Sequence, residues 1–245
     1  MTGAPPTTGG RLVYAVGDIH GHLDALEPLL GELRDDLARS RPAERPLLVF
    51  LGDYVDRGPD SRGVIDAILA LEADGDFEVV ALKGNHEDAL LRFLCDPGFG
   101  PNWLANWGET TLWSYGVKPA ALGEEAVETS RVQAELAAAL PPAHRDFLAR
   151  LPMSVGVGDY LFVHAGVRPG VPLGAQNERD LLWIRYDFLE SDADFGKVVV
   201  HGHTPLDRPE LKANRIGIDT GVYYSGVLTA VRLEGARQRI IQSRI

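Results

Sequence analysis

The sequence predicts a mixed α/β fold: two β-sheets packed as a sandwich and flanked by helices, with a small lid inserted in mid-chain. Three observations carry this reading. Between residues 11 and 95, three apolar strand patterns each run into a glycine-containing loop and then into a helical pattern, the mark of strand–loop–helix units. From residue 152 onward, short strand patterns follow one another with little helix between them, as in antiparallel meanders. The stretch 96–150 differs from both, with three tryptophans and an alanine-rich run.

Taken in order, Arg11 to Val16 alternates and then runs apolar, a first strand that exits into Gly17-Asp18-Ile19-His20-Gly21-His22. Leu23, Leu26, Leu30, Leu33 and Leu37 then recur at helical spacing, with Pro28 as the awkward residue in that helix. Leu47 to Leu51 is an uninterrupted apolar run, read as a strand buried on both faces, and Gly52 breaks it to release Asp53, Asp56 and Arg57 into a loop. Ser61 caps a helix through Val64, Ile65, Ile68 and Leu71, and Phe77 to Leu82 is the third strand. It ends in Lys83-Gly84-Asn85-His86-Glu87 at the start of another helix.

The breaker cluster at 96–101, the tryptophans Trp103, Trp107 and Trp113, and a helix from Glu124 to Leu140 make up the lid, and the tryptophans are read chiefly as packing within it. Pro152 to Val163 forms a hairpin ending in His164-Ala165-Gly166, and a helix over 180–189 carries Arg185. Lys197 to Val200 exits into His201-Gly202-His203-Thr204-Pro205, and strands at 216–219, 227–233 and 238–242 form a terminal meander. Residues 1–10 are expected as a loose tail and 11–245 as a single domain.

Composition narrows the function classes. A net charge of −11 argues against a protein that wraps nucleic acid, which relies on clustered Lys and Arg. The one cysteine, Cys95, leaves no intrachain disulfide framework. No apolar run approaches the roughly 18 residues of a membrane span, and the first ten residues lack a signal peptide's features, so a cytoplasmic protein without membrane partners is expected.

Six of the seven histidines lie in strand-exit loops. Five exits, at 18–22, 53–57, 85–86, 164 and 201–203, carry Asp, Asn or His, and ligands at one end of a sheet can converge on one cleft. Singly, each has a plain structural explanation. Asp18 could cap a helix, Asp53, Asp56 and Arg57 could form a surface ion-pair turn, Gly84-Asn85-His86 could be only a turn, and His164 could be a satisfied core histidine. Their coincidence favours a metal site. Mixed Asp, His and Asn donors suit Mn, Fe or Zn, and a bridging carboxylate suits a pair of ions. Arginine adds the planar fork that fits a phosphate edge.

The blocks Gly17-Asp18-Ile19-His20-Gly21, Gly52-Asp53-Tyr54-Val55-Asp56-Arg57-Gly58 and Gly84-Asn85-His86-Glu87, followed by Val163-His164-Ala165-Gly166 and Gly202-His203-Thr204-Pro205, resemble the signature of the serine/threonine phosphoprotein phosphatase family. That family lies within the calcineurin-like metallophosphoesterase superfamily. The compact length, Leu182-Trp183-Ile184-Arg185 and Ile218-Asp219-Thr220-Gly221 resemble its small bacterial and phage members.

The resemblance implies that Asp18 and His20 bind one metal, Asp53 bridges, and Asn85, His164 and His203 bind the second. It implies that Arg57, Arg185 and Asn85 hold the phosphate, that His86 oriented by Asp56 protonates the leaving oxygen, and that hydroxide bridging the two ions is the nucleophile. His201 is expected behind His203, and His22 in a minor outer role. The expected function is phosphoester hydrolysis, foremost of phosphoserine or phosphothreonine on proteins. The alternative is symmetrical bis(5'-nucleosyl)-tetraphosphate hydrolysis, with the lid tryptophans stacking adenine. A nuclease fits the acidic chain poorly, and a non-catalytic binding module would be expected to lack a ligand or the acid.

Overall fold

All residues of Val13–Val16 and Leu47–Phe50 are buried, a state that a strand reaches when both of its faces are covered. The computed structural model, which describes residues 5–119 and 127–245, supplies both covers. In chain order, β1 (Val13–Val16) leads to α1 (Leu23–Ser40), β2 (Leu47–Phe50) to α2 (Ser61–Asp74), and β3 (Glu78–Ala81) to α3 (Asn85–Cys95). Next come α4 (Gly100–Trp103), a π turn (Leu104–Gly108), α5 (Glu109–Ser114), α6 (Val127–Ala139) and α7 (Pro142–Arg150). The hairpin β4 (Ser154–Val157) and β5 (Tyr160–Val163) is joined through α8 (Glu178–Trp183) and α9 (Tyr186–Leu189) to β6 (Val198–His201). The chain ends with β7 (Glu210–Leu211), β8 (Arg215–Gly217), α10 (Val222–Ser225), β9 (Val227–Glu234) and β10 (Arg237–Arg244).

Among the described residues, the strands form two five-stranded sheets, ordered β10-β9-β1-β2-β3 and β4-β5-β6-β8-β7. Alternation divides the apolar runs between two cores. Val13, Ala15, Leu47, Val49 and Leu51 pack against Phe162, Val200 and Ile216 of the facing sheet. Tyr14, Val16, Leu48 and Phe50 point the other way, onto Leu26, Leu29, Ile65 and Ile68 of α1 and α2. Each such side chain contributes about 1.5–3 kcal/mol through burial, so the two-faced pattern accounts for the order of the layers.

The second half, expected to be mostly antiparallel, is so in the pairs β4–β5, β7–β8, β9–β10 and β1–β9, but its centre is parallel. β5 pairs parallel with β6, and β6 with β8, so these strands end at the same edge of the sheet. The terminal strands also do not form one meander. β8 belongs to the second sheet, while β9 crosses over to pair antiparallel with β1. The reason is that β1, apolar on both faces, makes a poor sheet edge, and β9 gives it a second partner.

Other differences are local. Asp60, not Ser61, caps α2 by accepting the Gly63 N–H at 2.8 Å. The helix expected over 180–189 is broken between α8 and α9, where Arg185 adopts φ −131° and ψ −102°. α1 runs through Pro28, which lies on its exposed side. The lid helix spans 127–139, and residues 124–126 of the expected helix lie outside the described residues. In the expected tail, the Thr7 N–H donates to Asp159 Oδ2 at 2.8 Å and the Asp159 N–H returns a bond to Thr7 O, which anchors the chain to the β4–β5 turn. Among the described residues, no helix is long and apolar enough to cross a membrane.

One buried charge ties α1 to the first sheet. Asp36 accepts from Tyr14 Oη at 2.6 Å, from Arg232 Nε at 2.7 Å and from the Arg239 guanidinium. Burial works against the charged carboxylate, but these donors outweigh it and hold its pKa below the ordinary value. A depressed pKa adds stability above the unfolded-state value and loses it as pH falls through the folded one. Asp36→Asn is therefore expected to cost roughly 2–3 kcal/mol at neutral pH in chemical unfolding, with the gap to wild type closing below about pH 4, while the exposed Asp35→Asn changes little.

Candidate metal centre

Six strand-end loops meet at one edge of the sandwich around a cavity of about 110 Å³, whose walls include His20, Asp53, Arg57, Asn85, His86, Arg185, His203 and Asp219. Among the described residues, six non-glycine residues have positive φ, and five of them are His20, Asp53, Asp56, Arg57 and His203. Such conformations persist only where the surroundings over-determine them.

For the Asp53 turn the restraint is Glu87, fully buried in the first turn of α3. Its carboxylate accepts the N–H groups of Asp53 at 2.9 Å, Tyr54 at 2.7 Å, Val55 at 3.3 Å and Gly84 at 2.9 Å. Gly84 is needed for this approach, because a Cβ there would collide with the Asp53 carboxylate.

The imidazoles are oriented from behind. His20 Nδ1 donates to Val55 O at 3.1 Å and His164 Nδ1 to Leu51 O at 2.9 Å, leaving both Nε2 atoms as lone pairs. His164 Nε2 lies 3.5 Å from Asp53 Oδ1 and 2.8 Å from Asn85 Oδ1, and His20 Nε2 lies 3.6 Å from Asp53 Oδ2. Asn85 Oδ1 also faces His203 Nδ1 at 2.7 Å, and the buried His203 Nε2 has no hydrogen-bond partner among the described residues. Burial and the neighbouring His86 push His20 down to about 3, and burial lowers His164 and His203, so all three are neutral donors.

The carboxylates give the complementary signal. Burial and the charges of Asp219 and Asp53 push Asp18 well above its ordinary range, and burial raises Asp219 to about 7. Burial opposes the charge on Asp53, yet His164, His86 and His20 hold its pKa below the usual carboxylate range. Neutral imidazoles, an orphaned ring nitrogen and crowded carboxylates fit a bound cation. Donor atoms converge in two groups, His20-Asp53-His86 and Asp53-His164-His203, with Asp53 common to both. Asp18 is in neither group; its carboxylate accepts the His203 N–H at 3.0 Å.

Beside the donors stands the expected acid pair. His86 Nδ1 donates to Asp56 Oδ2 at 2.7 Å, and Trp103 Nε1 donates to the same oxygen at 3.0 Å. Thr111 Oγ1 donates to Asp56 Oδ1 at 2.6 Å. Burial disfavours charged His86, but Asp53 and the Asp56 bond more than compensate and raise its pKa. Arg57 and Arg185 line the cavity, and neither forms an ion pair with a carboxylate among the described residues; Arg57 lies 4.2 Å above the Tyr223 ring. His201 faces away, against Phe188, and burial lowers it to about 4. His22 sits at the start of α1, near Asp24.

Sequence reasoning missed Glu87 as a clamp, Trp103 and Thr111 as partners of Asp56, and Asp219 in the wall. Glu87 had a signal, since it follows Gly84 by three residues at a helix start, the spacing of a capping box. Asp219 repeats the strand-then-acid pattern of the other exits. Nothing local marks Trp103 or Thr111. Of the three lid tryptophans, Trp103 is buried packing, Trp113 is 52% exposed, and Trp107 stands at the cavity, 5.0 Å from the His86 ring.

What these groups define is a phosphoester hydrolase that works with bound metal: two guanidinium groups without a carboxylate partner among the described residues face a mixed-donor centre and a carboxylate-oriented imidazole. The chain belongs to the calcineurin-like phosphoesterase family, whose pattern it matches over residues 12–226. It is similar to bis(5'-nucleosyl)-tetraphosphatase PrpE, designated asymmetrical, of Anoxybacillus flavithermus, at 29% identity over 89% of this chain and 88% of the relative. The Geobacillus thermodenitrificans protein of the same name is 28% identical, with the same coverage.

Among solved structures, one provisionally assigned as a diadenosine tetraphosphatase aligns with a TM-score of 0.62 at 21% identity, covering 98% of this chain and 99% of the other. A Saccharomyces cerevisiae serine/threonine phosphatase similar to human PP5 aligns with a TM-score of 0.55 at 15% identity, covering 97% of this chain and 81% of the other. At these identities the likeness shows the shared fold alone.

The clamp can be tested directly. Glu87→Gln turns one acceptor of backbone N–H groups into a donor, and calorimetric titration with Mn is expected to show affinity weakened by about 10–100-fold. Unchanged affinity would mean that the loop holds its shape without the carboxylate.

Proposed function

We propose that this protein hydrolyses dinucleoside tetraphosphates at this centre, with Asp18, His20, Asp53, Asn85, His164 and His203 holding two metal ions, manganese foremost. The observation that carries the reading is the similarity, over 89% of the chain, to relatives named for that activity. Those relatives are named for asymmetrical cleavage, so the expected products are ATP and AMP, where the symmetrical reaction of the sequence-based alternative would give two ADP.

When bound, the metal centre supplies Lewis-acid stabilisation of phosphoryl charge and lowers the pKa of water. The chain's own residues do the rest. Arg57 and Arg185 grip the phosphoryl oxygens through charge-assisted bonds, and Asn85 at the N-terminus of α3 adds an amide and a favourable helix end. Asp56 fixes the His86 tautomer so that Nε2 carries the proton for the departing oxygen. Trp103 and Thr111 hold Asp56 in turn, so the acid does not depend on a mobile carboxylate.

A second reading, phosphomonoester hydrolysis on proteins, is favoured by that acid pair. A serine or threonine alkoxide needs a proton to depart, whereas a nucleotide phosphate is a far better leaving group and gains less from one.

Two measurements separate the readings. Incubation with diadenosine tetraphosphate and Mn is expected to yield ATP and AMP and to stop on chelation; activity confined to phosphopeptides would select the second reading. His86→Ala is expected to lower kcat/KM on phosphoserine peptides by about 100-fold or more and on p-nitrophenyl phosphate far less. Equal losses on both substrates would remove His86 as the acid.

A further inference from the structure

The cavity shares a wall with a larger cleft. Trp107, in the π turn, and Trp183, at the end of α8, border both the cavity and a cleft of about 580 Å³. Their ring centroids lie 6.4 Å apart, with the planes inclined by 42°. Each indole also meets an imidazole of the centre, Trp107 at 5.0 Å from His86 and Trp183 at 6.0 Å from His203. Trp183 is 37% exposed, whereas Trp103 nearby in sequence to Trp107 is fully buried. Phe99, Asn102, Leu182, Glu178 and Arg179 also line the cleft, and its Asp88 is paired with its Arg92 at 2.8 Å. A third cleft, of about 560 Å³, also borders Trp183 and is lined by Arg185 and Arg179.

We infer that the Trp107–Trp183 cleft is the nucleobase subsite, and that a base held there directs attack to the phosphorus bearing its own ribose. The inference rests on the dinucleotide reading above. Flat apolar rings at the mouth of an anion site suit a base, which stacks on an indole face whatever its sequence identity. Asn102 and Glu178 offer the donor and acceptor that a purine edge requires. Arg179 borders both clefts and has Glu178 beside it in this one, whereas Arg185 lines the third cleft and the cavity but not this cleft, and so draws phosphate to that side. The nucleoside and the remaining polyphosphate chain are thereby assigned to different clefts.

Proximity then sets the point of cleavage. Both indoles touch the imidazoles of the centre, so a stacked base is separated from the phosphorus in the cavity by its ribose alone. The water oxygen donates an electron pair to that α-phosphorus. The bond from the α-phosphorus to its bridging oxygen breaks, and its electron pair leaves with the bridging oxygen on ATP, which takes the His86 proton. The water's protons pass to solvent and to His86, and the incoming oxygen remains on AMP.

The test uses diadenosine tetraphosphate hydrolysed in oxygen-18 water by wild type, Trp183→Ala and Trp183→Phe, with inorganic tripolyphosphate as the base-free comparison. The label is expected in AMP and not in ATP. Trp183→Ala is expected to lower the ratio of kcat/KM on the dinucleotide to that on tripolyphosphate roughly tenfold, and Trp183→Phe to restore most of it. AMP is expected to quench wild-type tryptophan fluorescence, with its Kd raised roughly tenfold in Trp183→Ala. Thermal melts check that the variants fold. Label in ATP, production of two ADP, or an unchanged ratio and Kd would overturn the subsite while leaving the enzyme a dinucleotide hydrolase. No dinucleotide hydrolysis by wild type, with phosphopeptides turned over instead, would overturn the functional reading itself.

Discussion

The site depends on one buried carboxylate that does not itself line the cavity. Glu87 accepts four backbone N–H groups, three of them from Asp53, Tyr54 and Val55. Left-handed backbone costs of order 1–3 kcal/mol per residue, and in this loop the bonds of Glu87 at Asp53 and of Ser61 and Thr111 at Asp56 offset it. With these bonds, a single loop turns sharply enough to present the carboxylate shared by both donor groups, the partner of His86 and the Arg57 guanidinium to the same small space. The strain is local, and the clamp that holds it comes from the first turn of α3.

A second constraint follows from charge. Asp18, Asp53, Glu87 and Asp219 are all buried at this edge, and burial together with mutual repulsion raises three of them. The exception is Asp53, which the surrounding imidazoles keep ionised. An edge with this much latent negative charge and neutral imidazole lone pairs is arranged for cations. The sandwich makes the convergence possible, because β1, β2 and β3 in one sheet, and β5, β6 and β8 in the other, run parallel to one another. Their exits therefore open on one edge.

Much of this was legible from residue order. The apolar run at Leu47 to Leu51 announced a strand buried on both faces, and His20, Asp53, Asn85, His86 and His203 do line one cavity. The topology of the second half was less legible. β5, β6 and β8 are each short, and a strand of four residues or fewer says little about the direction of its partner. The break at Arg185 was hidden for a related reason: α8 and α9 share helical periodicity, and only the packing of Ile184 and Phe188 onto the second sheet separates them.

By itself, the sequence determined which atoms are available: the donors, the arginines, the acid pair and the glycines that let loops approach, since these depend on residue type and short-range spacing. Tertiary structure alone decided how they are held and what surrounds them. Trp103 and Thr111 reach Asp56 across 47 and 55 residues of chain, and Trp183 meets Trp107 from the opposite half of the molecule. Such contacts leave no local pattern, because the energy that selects them comes from packing between elements distant in sequence. The Asp53 loop lies at this boundary: its residues can be read in one line of sequence, but its shape is set by a carboxylate 34 residues away.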